Sequence, residues 1–270
     1  MKNFRIGVAS VTFRNKRIAE VVEIAKKAGV GYIEWGADVH VRTLDEAREA
    51  KALCDSNGIR ICSYGSYYRV GSGDMSDWKR ICENADAMGA SSVRIWLGNK
   101  DSEKTSEEEY AHLLKDLKAI CSVAKEYNLL VCPECHDNTF NNNTDAFLKM
   151  RSELGADNFK TYFQSRYFRF GYDMDRIERT FDYIENVHVS YRDLKKEQRF
   201  RKKDRKYLDK ILKKLGSLGF DGIVLVEFTK DSGLDEQSIE INQIKEALTN
   251  TLLQLKEVEG VKLLVDGKEL

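Results

Sequence analysis

The chain has 270 residues, of which 42% are hydrophobic and 10% aromatic, a composition that excludes a disordered chain. The length allows one large domain or two small ones. Its 44 basic and 44 acidic residues balance, so no overall charge favours nucleic acid or an anionic membrane as a partner.

The N-terminus starts directly with a strand-like run and lacks the apolar core of a signal peptide. No run approaches the roughly 18 apolar residues of a membrane span. The six cysteines are scattered over predicted helices and strands, which is typical of reduced thiols and not of a disulfide framework. We therefore expect a cytoplasmic protein.

Short apolar runs typical of strands alternate with segments of helical periodicity along the chain. The predicted strands are Phe4–Ala9, Tyr32–Trp35, Arg60–Tyr64, Ser92–Leu97, Leu129–Glu134, Thr161–Gln164, Val187–Val189 and Ile223–Glu227. The predicted helices are Ile18–Ala28, Leu44–Ser56, Asp77–Met88, Ser106–Tyr127, Asp145–Leu154, Asp173–Ile184, Lys203–Leu218 and Gln237–Val258.

Eight such β/α units without a break in composition predict an α/β fold, a single (β/α)8 TIM barrel. The barrel would occupy residues 1–258 of one domain, and residues 259–270 would form a C-terminal extension. A doubly wound open sheet is the alternative. It would need a glycine-rich phosphate-binding turn after the first strand, and the segment Ser10–Arg14 contains no glycine.

Four consecutive predicted strands carry polar side chains that can bind a metal, namely Glu134, Gln164, His188 and Glu227. The carboxyl ends of barrel strands share one face, so these side chains would line one mouth. Two carboxylates, an imidazole and an amide oxygen suit Mn²⁺, Mg²⁺, Co²⁺ or Zn²⁺. Each residue alone has a plainer interpretation as an ion-pair partner or a buried core residue, and it is their joint placement that favours a metal site.

Cys132 and Cys135 have the spacing of a C-x-x-C motif next to Glu134. Redox proteins place that motif at the start of a helix. Here it lies on a strand, whose alternation points the two sulfurs to opposite faces. A redox function is therefore disfavoured.

Arginines follow several predicted strand ends, at Arg69, Arg166, Arg169 and Arg192. Guanidinium groups match carboxylate or phosphate oxygens, although each of these arginines has surface solvation as its alternative. Together they favour an anionic or acid-sugar substrate over a neutral hexose. A basic run from Arg192 to Lys214 is interpreted as the solvated face of a helix, with nucleic-acid binding as the less favoured alternative.

Two tryptophans end predicted strands, Trp35 and Trp96, where each could stack on a sugar or pack in the barrel. Glu34 precedes the first of them and is interpreted as a buried ion-pair partner. We expect His40 and His112 at the surface.

His136 lies two residues beyond Glu134, on the same face of the strand. It is placed to contact the substrate or to support a metal ligand.

Taken together, these segments resemble the sugar phosphate isomerase/epimerase superfamily, the xylose-isomerase-like barrels that include the tagatose/psicose 3-epimerases. The segments that carry the resemblance are Lys27–Trp35, Pro133–His136, Val187–Val189 and Leu218–Glu227. The resemblance covers nearly the whole chain and implies metal ligands in the order Glu, Asp, His, Glu.

The resemblance implies a divalent-metal-dependent isomerase or epimerase of carbohydrate metabolism. The metal would bind the substrate carbonyl and stabilise an enediolate. Glu134 and Glu227 would act on opposite faces of the sugar, one as base and the other as acid.

This chain departs from the family at Gln164, which stands where relatives carry Asp. The loss of one negative charge predicts weaker metal binding and a more Lewis-acidic ion. Ser190 stands where relatives often carry a lysine, two residues after His188.

Two alternatives stay open: a non-catalytic sugar-binding barrel with a degenerate site, and an endonuclease IV-like DNA repair enzyme. The second would need more histidines at strand ends than this chain offers. We expect a carbohydrate substrate and neither nucleic acid nor membrane as a partner, and a homo-oligomer is one of the open states.

Overall fold

The computed structural model describes residues 4–165, 170–191 and 198–228, together with 264–265 and 268–269. Its main strands are β1 (Arg5–Ala9), β2 (Tyr32–Gly36), β3 (Arg60–Val70), β4 (Ser92–Leu97), β5 (Leu130–Pro133), β6 (Thr161–Gln164), β7 (Ile184–Tyr191) and β8 (Ile223–Phe228). The described helices are α1 (Ile18–Lys27), α2 (Leu44–Ser56), α3 (Met75–Ala87), α4 (Glu107–Glu126), α5 (Thr144–Leu154), α6 (Phe170–Thr180) and α7 (Gln198–Ser217).

The eight strands form one parallel sheet in the order β5-β4-β3-β2-β1-β8-β7-β6. Isolated parallel bridges from Val131 to Phe159 and from Glu134 to Tyr162 join its two edges. The sheet is therefore a closed barrel with helices around it, which confirms the predicted (β/α)8 fold. None of the described helices is both long enough and apolar enough to cross a membrane.

Apolar side chains fill both sides of the barrel wall. Cys62, Cys132, Tyr162 and Leu225 form a cluster inside the barrel. The other face of the sheet packs against the helices, as at Val187 and Val189, which contact α7. This interior packing leaves the mouth at the carboxyl ends of the strands for polar chemistry.

Several predicted boundaries were wrong. Helix α7 begins at Gln198 instead of Lys203, α6 begins at Phe170 instead of Asp173, and β7 is longer at both ends than the predicted Val187–Val189. Two further differences concern strands at the mouth. The helix predicted to end at Ile184 stops at Thr180, a 3₁₀ turn follows, and β7 begins at Ile184. The third strand, predicted to end at Tyr64, continues to Val70 through an irregularity in its register with β4 between Gly65 and Arg69. Both changes lengthen strands that reach the mouth.

The prediction for His40 was also wrong. Its side chain is buried, with Nδ1 3.1 Å from Oγ of Ser10 and Nε2 3.1 Å from the carbonyl oxygens of Phe13 and Lys16. These contacts tie the segment after β1 to the segment after β2. His112 is exposed, as predicted.

The predicted last helix, Gln237–Val258, lies outside the described residues. Within the predicted extension, β9 (Leu264–Val265) and β10 (Lys268–Glu269) pair in antiparallel orientation. All six cysteines are buried, and none of them forms a disulfide with another. Cys132 lies inside the barrel, whereas the Cys135 sulfur contacts Arg176 of α6.

Candidate active site

Three of the four predicted metal ligands meet at the mouth. Glu134 directly follows β5, and His188 and Glu227 lie in β7 and β8. Nδ1 of His188 lies 3.5 Å from Oε1 of Glu134 and 3.7 Å from Oε2 of Glu227. The imidazole therefore faces two carboxylates from two other elements of the barrel.

Gln164 ends β6, and the sheet register pairs it directly with His188. The backbone of the fourth predicted ligand therefore lies at the same rim of the barrel as that of the other three. Its amide is partly buried there.

A buried ion-pair chain lies beneath these residues. Arg94, from β4, approaches Oε1 of Glu34 with Nε at 3.2 Å and Oε2 of Glu134 with Nη1 at 2.5 Å. Glu34, from β2, also accepts a hydrogen bond of 2.7 Å from Oγ of Ser63. The interpretation of Glu34 as a buried ion-pair partner is confirmed.

Glu34 reaches the imidazole as well. Its Oε1 lies 3.3 Å from Nε2 of His188. This distance and the 3.5 Å from Nδ1 to Glu134 are long for hydrogen bonds, so they describe ion-pair contacts rather than tight bonds. His188 is thus held between Glu34 on one ring nitrogen and two carboxylates on the other.

The cluster sets the charge of its members. Burial favours neutral His188, but Glu34 and Glu134 outweigh it and raise the His188 pKa to about 10. Burial also opposes ionised Glu34 and Glu134, yet the Arg94 guanidinium lowers the pKa of both carboxyls, to about 2 for Glu34. Burial raises the pKa of Glu227. Without a metal, the contacts with Glu34 and Glu134 favour the imidazolium form of His188.

These residues fit a divalent metal. Ligand atoms on one tetrahedral ion lie about 3.3–3.4 Å apart, given bonds of roughly 2.0–2.1 Å. The distances of 3.5 and 3.7 Å from Nδ1 of His188 exceed that spacing by a few tenths of an ångström. Accordingly, no group of three or more His, Cys, Asp or Glu side chains among the described residues is already a metal-binding cluster.

Two further features support the fit. Glu34 contacts Nε2 of His188, and metal-binding histidines commonly have a carboxylate on the second ring nitrogen. The net charge of the cluster also matches a divalent ion. When His188 is neutral, the three carboxylates of Glu34, Glu134 and Glu227 and the one guanidinium of Arg94 sum to two negative charges. One divalent ion neutralises them.

An aromatic and cationic wall borders the site. Trp96 donates a hydrogen bond of 3.1 Å from Nε1 to Oε2 of Glu134. His136 stacks on the Trp96 ring at 5.3 Å between centroids, and the Arg69 guanidinium lies 4.1 Å from its centroid. The edge of Tyr67 also meets Trp96, at 5.8 Å. Three predicted substrate contacts, Trp96, His136 and Arg69, thus form one structure at the mouth.

The other predicted substrate contacts lie elsewhere. Trp35 is fully buried in the core outside the barrel and packs edge-on against His40, so of its two interpretations the position favours packing. Arg166 and Arg192, with the neighbouring candidate Arg169, lie outside the described residues.

Sequence reasoning missed Arg94 and Tyr67. Arg94 had a readable signal, because a charged residue in the apolar strand Ser92–Leu97 needs a buried partner. Tyr67 had none: its backbone φ of 58° lies in the left-handed region, and only the irregularity in β3 brings its ring within 5.1 Å of the Arg94 guanidinium.

The family model described as xylose isomerase-like TIM barrel matches residues 22–253. The chain belongs to this family. The match extends across both halves of the barrel, from α1 past β8.

A curated relative, the 3-dehydroshikimate dehydratase of Bacillus anthracis, is 24% identical over 168 residues. The match covers 58% of this chain, which spans 60% of the length of that relative. Among solved structures, the probable 3-DHS dehydratase AsbF of Bacillus anthracis is similar with a TM-score of 0.71 and 15% identity, covering 90% of this chain and 98% of the other. D-psicose 3-epimerase from Clostridium cellulolyticum H10 has a TM-score of 0.69 and 15% identity, with 93% and 99% covered. At these identities the structural likeness establishes the fold.

Proposed function

We propose that this family member is an enzyme that moves a proton alpha to the carbonyl of a sugar or sugar derivative, as an isomerase or epimerase. The observation that carries the proposal is the approach of Glu134 and Glu227 to Nδ1 of His188 at the barrel mouth. Its relatives include epimerases and a dehydratase that act on polyhydroxylated compounds, according to their names.

The proposed cofactor is one divalent ion, Mn²⁺, Mg²⁺, Co²⁺ or Zn²⁺. Glu134, His188 and Glu227 would hold it, with the Gln164 amide oxygen as the fourth ligand. When bound, the ion would supply a Lewis acid for the substrate oxygens.

The chain itself supplies the groups that move the proton. Arg94 and Trp96 hold Oε2 of Glu134 in a fixed direction, and Oε1 lies 3.5 Å from Nδ1 of His188. Glu227 approaches His188 from β8, away from β5. Removal and return of a proton would use these two carboxylates from different sides of one substrate position.

The wall suggests how the substrate is recognised. The Trp96 ring is already covered by Arg69 and His136, so these two residues, rather than the indole face, present polar atoms at the rim. A guanidinium beside an imidazole favours a substrate with an anionic or strongly polar end. Arg166 and Arg192 are proposed as further contacts from their place in the sequence.

Dehydration is a second candidate, because the curated relative with detectable sequence similarity is a dehydratase. Elimination of water from a hydroxyketone also begins by removing a proton alpha to a carbonyl. The two activities differ in the product: dehydration gives a conjugated enone with strong ultraviolet absorbance, whereas epimerisation conserves the chromophore and inverts one carbon.

Solvent deuterium exchange tests both candidates at their shared step. The metal-loaded protein is incubated in D₂O with keto-sugars and cyclic hydroxyketo acids, and deuterium incorporation is measured by mass spectrometry. We expect exchange at one carbon in the wild type and a loss of at least a hundredfold in Glu134→Gln and Glu227→Gln. Glu185→Gln, the same change at the start of β7, should exchange as the wild type does.

Full exchange in both variants would contradict the assignment of the two glutamates. Sugar binding without exchange in the wild type would instead support the non-catalytic barrel, and cleavage of nicked or abasic DNA would support the endonuclease alternative. The cytoplasmic location stays a prediction from the sequence, and the homo-oligomer stays one of the open states.

A further inference from the structure

We infer that Arg94 is a positioning residue that fixes both Glu134 and, through Glu34, the imidazole of His188. It bridges the two carboxylates that contact opposite nitrogens of the same ring. The inference deepens the proposed function and rests on it for its metal readout alone.

The two contacts of the Arg94 guanidinium explain how two carboxylates from distant strands keep a fixed position relative to each other. Nε points to Oε1 of Glu34 and Nη1 to Oε2 of Glu134, so one rigid plane spans β2 and the end of β5. All three side chains are buried, with at most 5% of each exposed. A planar guanidinium makes both contacts in one fixed geometry, whereas a lysine ammonium has three rotatable donors that fix no angle between two partners.

The surroundings are shaped for this guanidinium. Tyr67 lies over its Cζ at 5.1 Å, at a residue with a left-handed backbone. Gly65 also lies close to the guanidinium, since an added Cβ would come within 2.8 Å of Nη2 of Arg94 and 3.3 Å of Oε1 of Glu34. Gly65 is therefore required for close approach, and Tyr67 takes a strained conformation that is kept only where neighbours compel it.

Positioning and mere charge balance make opposite predictions for Arg94→Lys. The variant keeps the positive charge, so charge balance predicts unchanged metal binding. Positioning predicts a change, because the ammonium does not hold Glu34 and Glu134 in the fixed relative position that the guanidinium plane imposes. A purely structural role would lower the melting temperature and leave the site as it was.

The first readout needs no metal. The chain has four histidines, so ¹⁵N-histidine labelling gives a spectrum simple enough to assign in the metal-free full chain. We expect His188 to show a protected Nε2–H signal in the wild type and to lose or shift it in Arg94→Lys. The buried His40 should keep its signals in both proteins.

The second readout is Co²⁺ binding, followed by the visible absorption of the ion. We expect Arg94→Lys to bind Co²⁺ at least tenfold more weakly, with an altered spectrum. Arg151→Lys is the matched control, because Arg151 also stacks on a tyrosine, 5.0 Å from the ring of Tyr183 and away from the site. It should behave as the wild type does.

An unchanged His188 signal with unchanged Co²⁺ affinity and spectrum in Arg94→Lys would overturn the inference, whatever the loss of stability. If the wild type binds no Co²⁺, the proposed metal site fails and the histidine spectrum alone decides the inference. Should Arg94→Lys not fold, Gly65→Ala replaces it. That variant keeps Arg94 but displaces its guanidinium, so it should shift the same His188 signal.

Discussion

At the scale of single residues, the site depends on which nitrogen of His188 faces which carboxylate. Glu34 approaches Nε2, and Glu134 and Glu227 approach Nδ1. A proton on Nε2 would leave the Nδ1 lone pair directed at the two mouth carboxylates, the tautomer that a metal at the mouth needs. Through its contact with Nε2, Glu34 would therefore favour the tautomer of His188 that leaves Nδ1 free to bind a metal.

Gln164 stands at the position where the family resemblance implies an aspartate, so a single substitution tests the effect of this difference on metal binding. Gln164→Asp adds a negative charge beside His188 at the rim, and we expect it to tighten Co²⁺ or Mn²⁺ binding by about tenfold, or about 1.4 kcal/mol. Titration calorimetry measures the affinity.

Gln164→Asn is the matched control for that substitution. It has the length of aspartate without the charge, so it should bind the ion no more tightly than the wild type does. Equal affinity in the Asp and Asn variants would mean that β6 contributes no ligand.

At the scale of elements, sequence periodicity located most of the barrel. The bounds predicted for α2, β4 and β6 match the structure, because clean apolar periods and glycine-bearing turns delimit them. The errors have a physical cause as well. Thr180–Ile184 continues the apolar pattern of α6, and nothing local marks where the chain changes from helix to strand.

The candidate site was predictable in part for the same reason. Strand ends are visible in sequence, so Glu134, His188 and Glu227 were found, and the structure brings them together. Arg94 and Tyr67 act through contacts between β3, β4 and β5, which depend on register. The register of β3 contains an irregularity that no local signal encodes.

Helix α4 offers a test at this scale. Ser106 accepts a hydrogen bond from the backbone of Glu109, whose carboxylate accepts one from the Ser106 N–H, so a capping box begins this helix. Ser106→Ala should destabilise the protein by about 1 kcal/mol in urea unfolding. Ser106→Thr keeps the hydroxyl, so its free energy of unfolding should fall by no more than a few tenths of a kcal/mol. Equal losses in the two variants would mean that the cap bond contributes nothing.

At the scale of the whole molecule, the two ends of the barrel differ in how far their buried charges are neutralised by opposite charges. The mouth holds several ionised side chains that neutralise one another around Arg94. At the opposite end, Glu185 lies at the start of β7, where fewer opposite charges compensate for the burial of its carboxylate. Burial raises its pKa, and the charges of Lys160 and Arg5 only partly oppose that shift.

The raised pKa of Glu185 makes a prediction for global stability against pH. A carboxyl that holds its proton more tightly when folded carries no penalty below its unfolded pKa, and the penalty grows as pH rises through the folded pKa. Glu185→Gln removes the ionisable group. The variant should therefore match the wild type in free energy of unfolding near pH 4 and exceed it at pH 7, as measured by urea unfolding across that range. A variant that is less stable than the wild type at pH 7 would show that ionised Glu185 is stabilised by Lys160 and Arg5 by more than its burial costs.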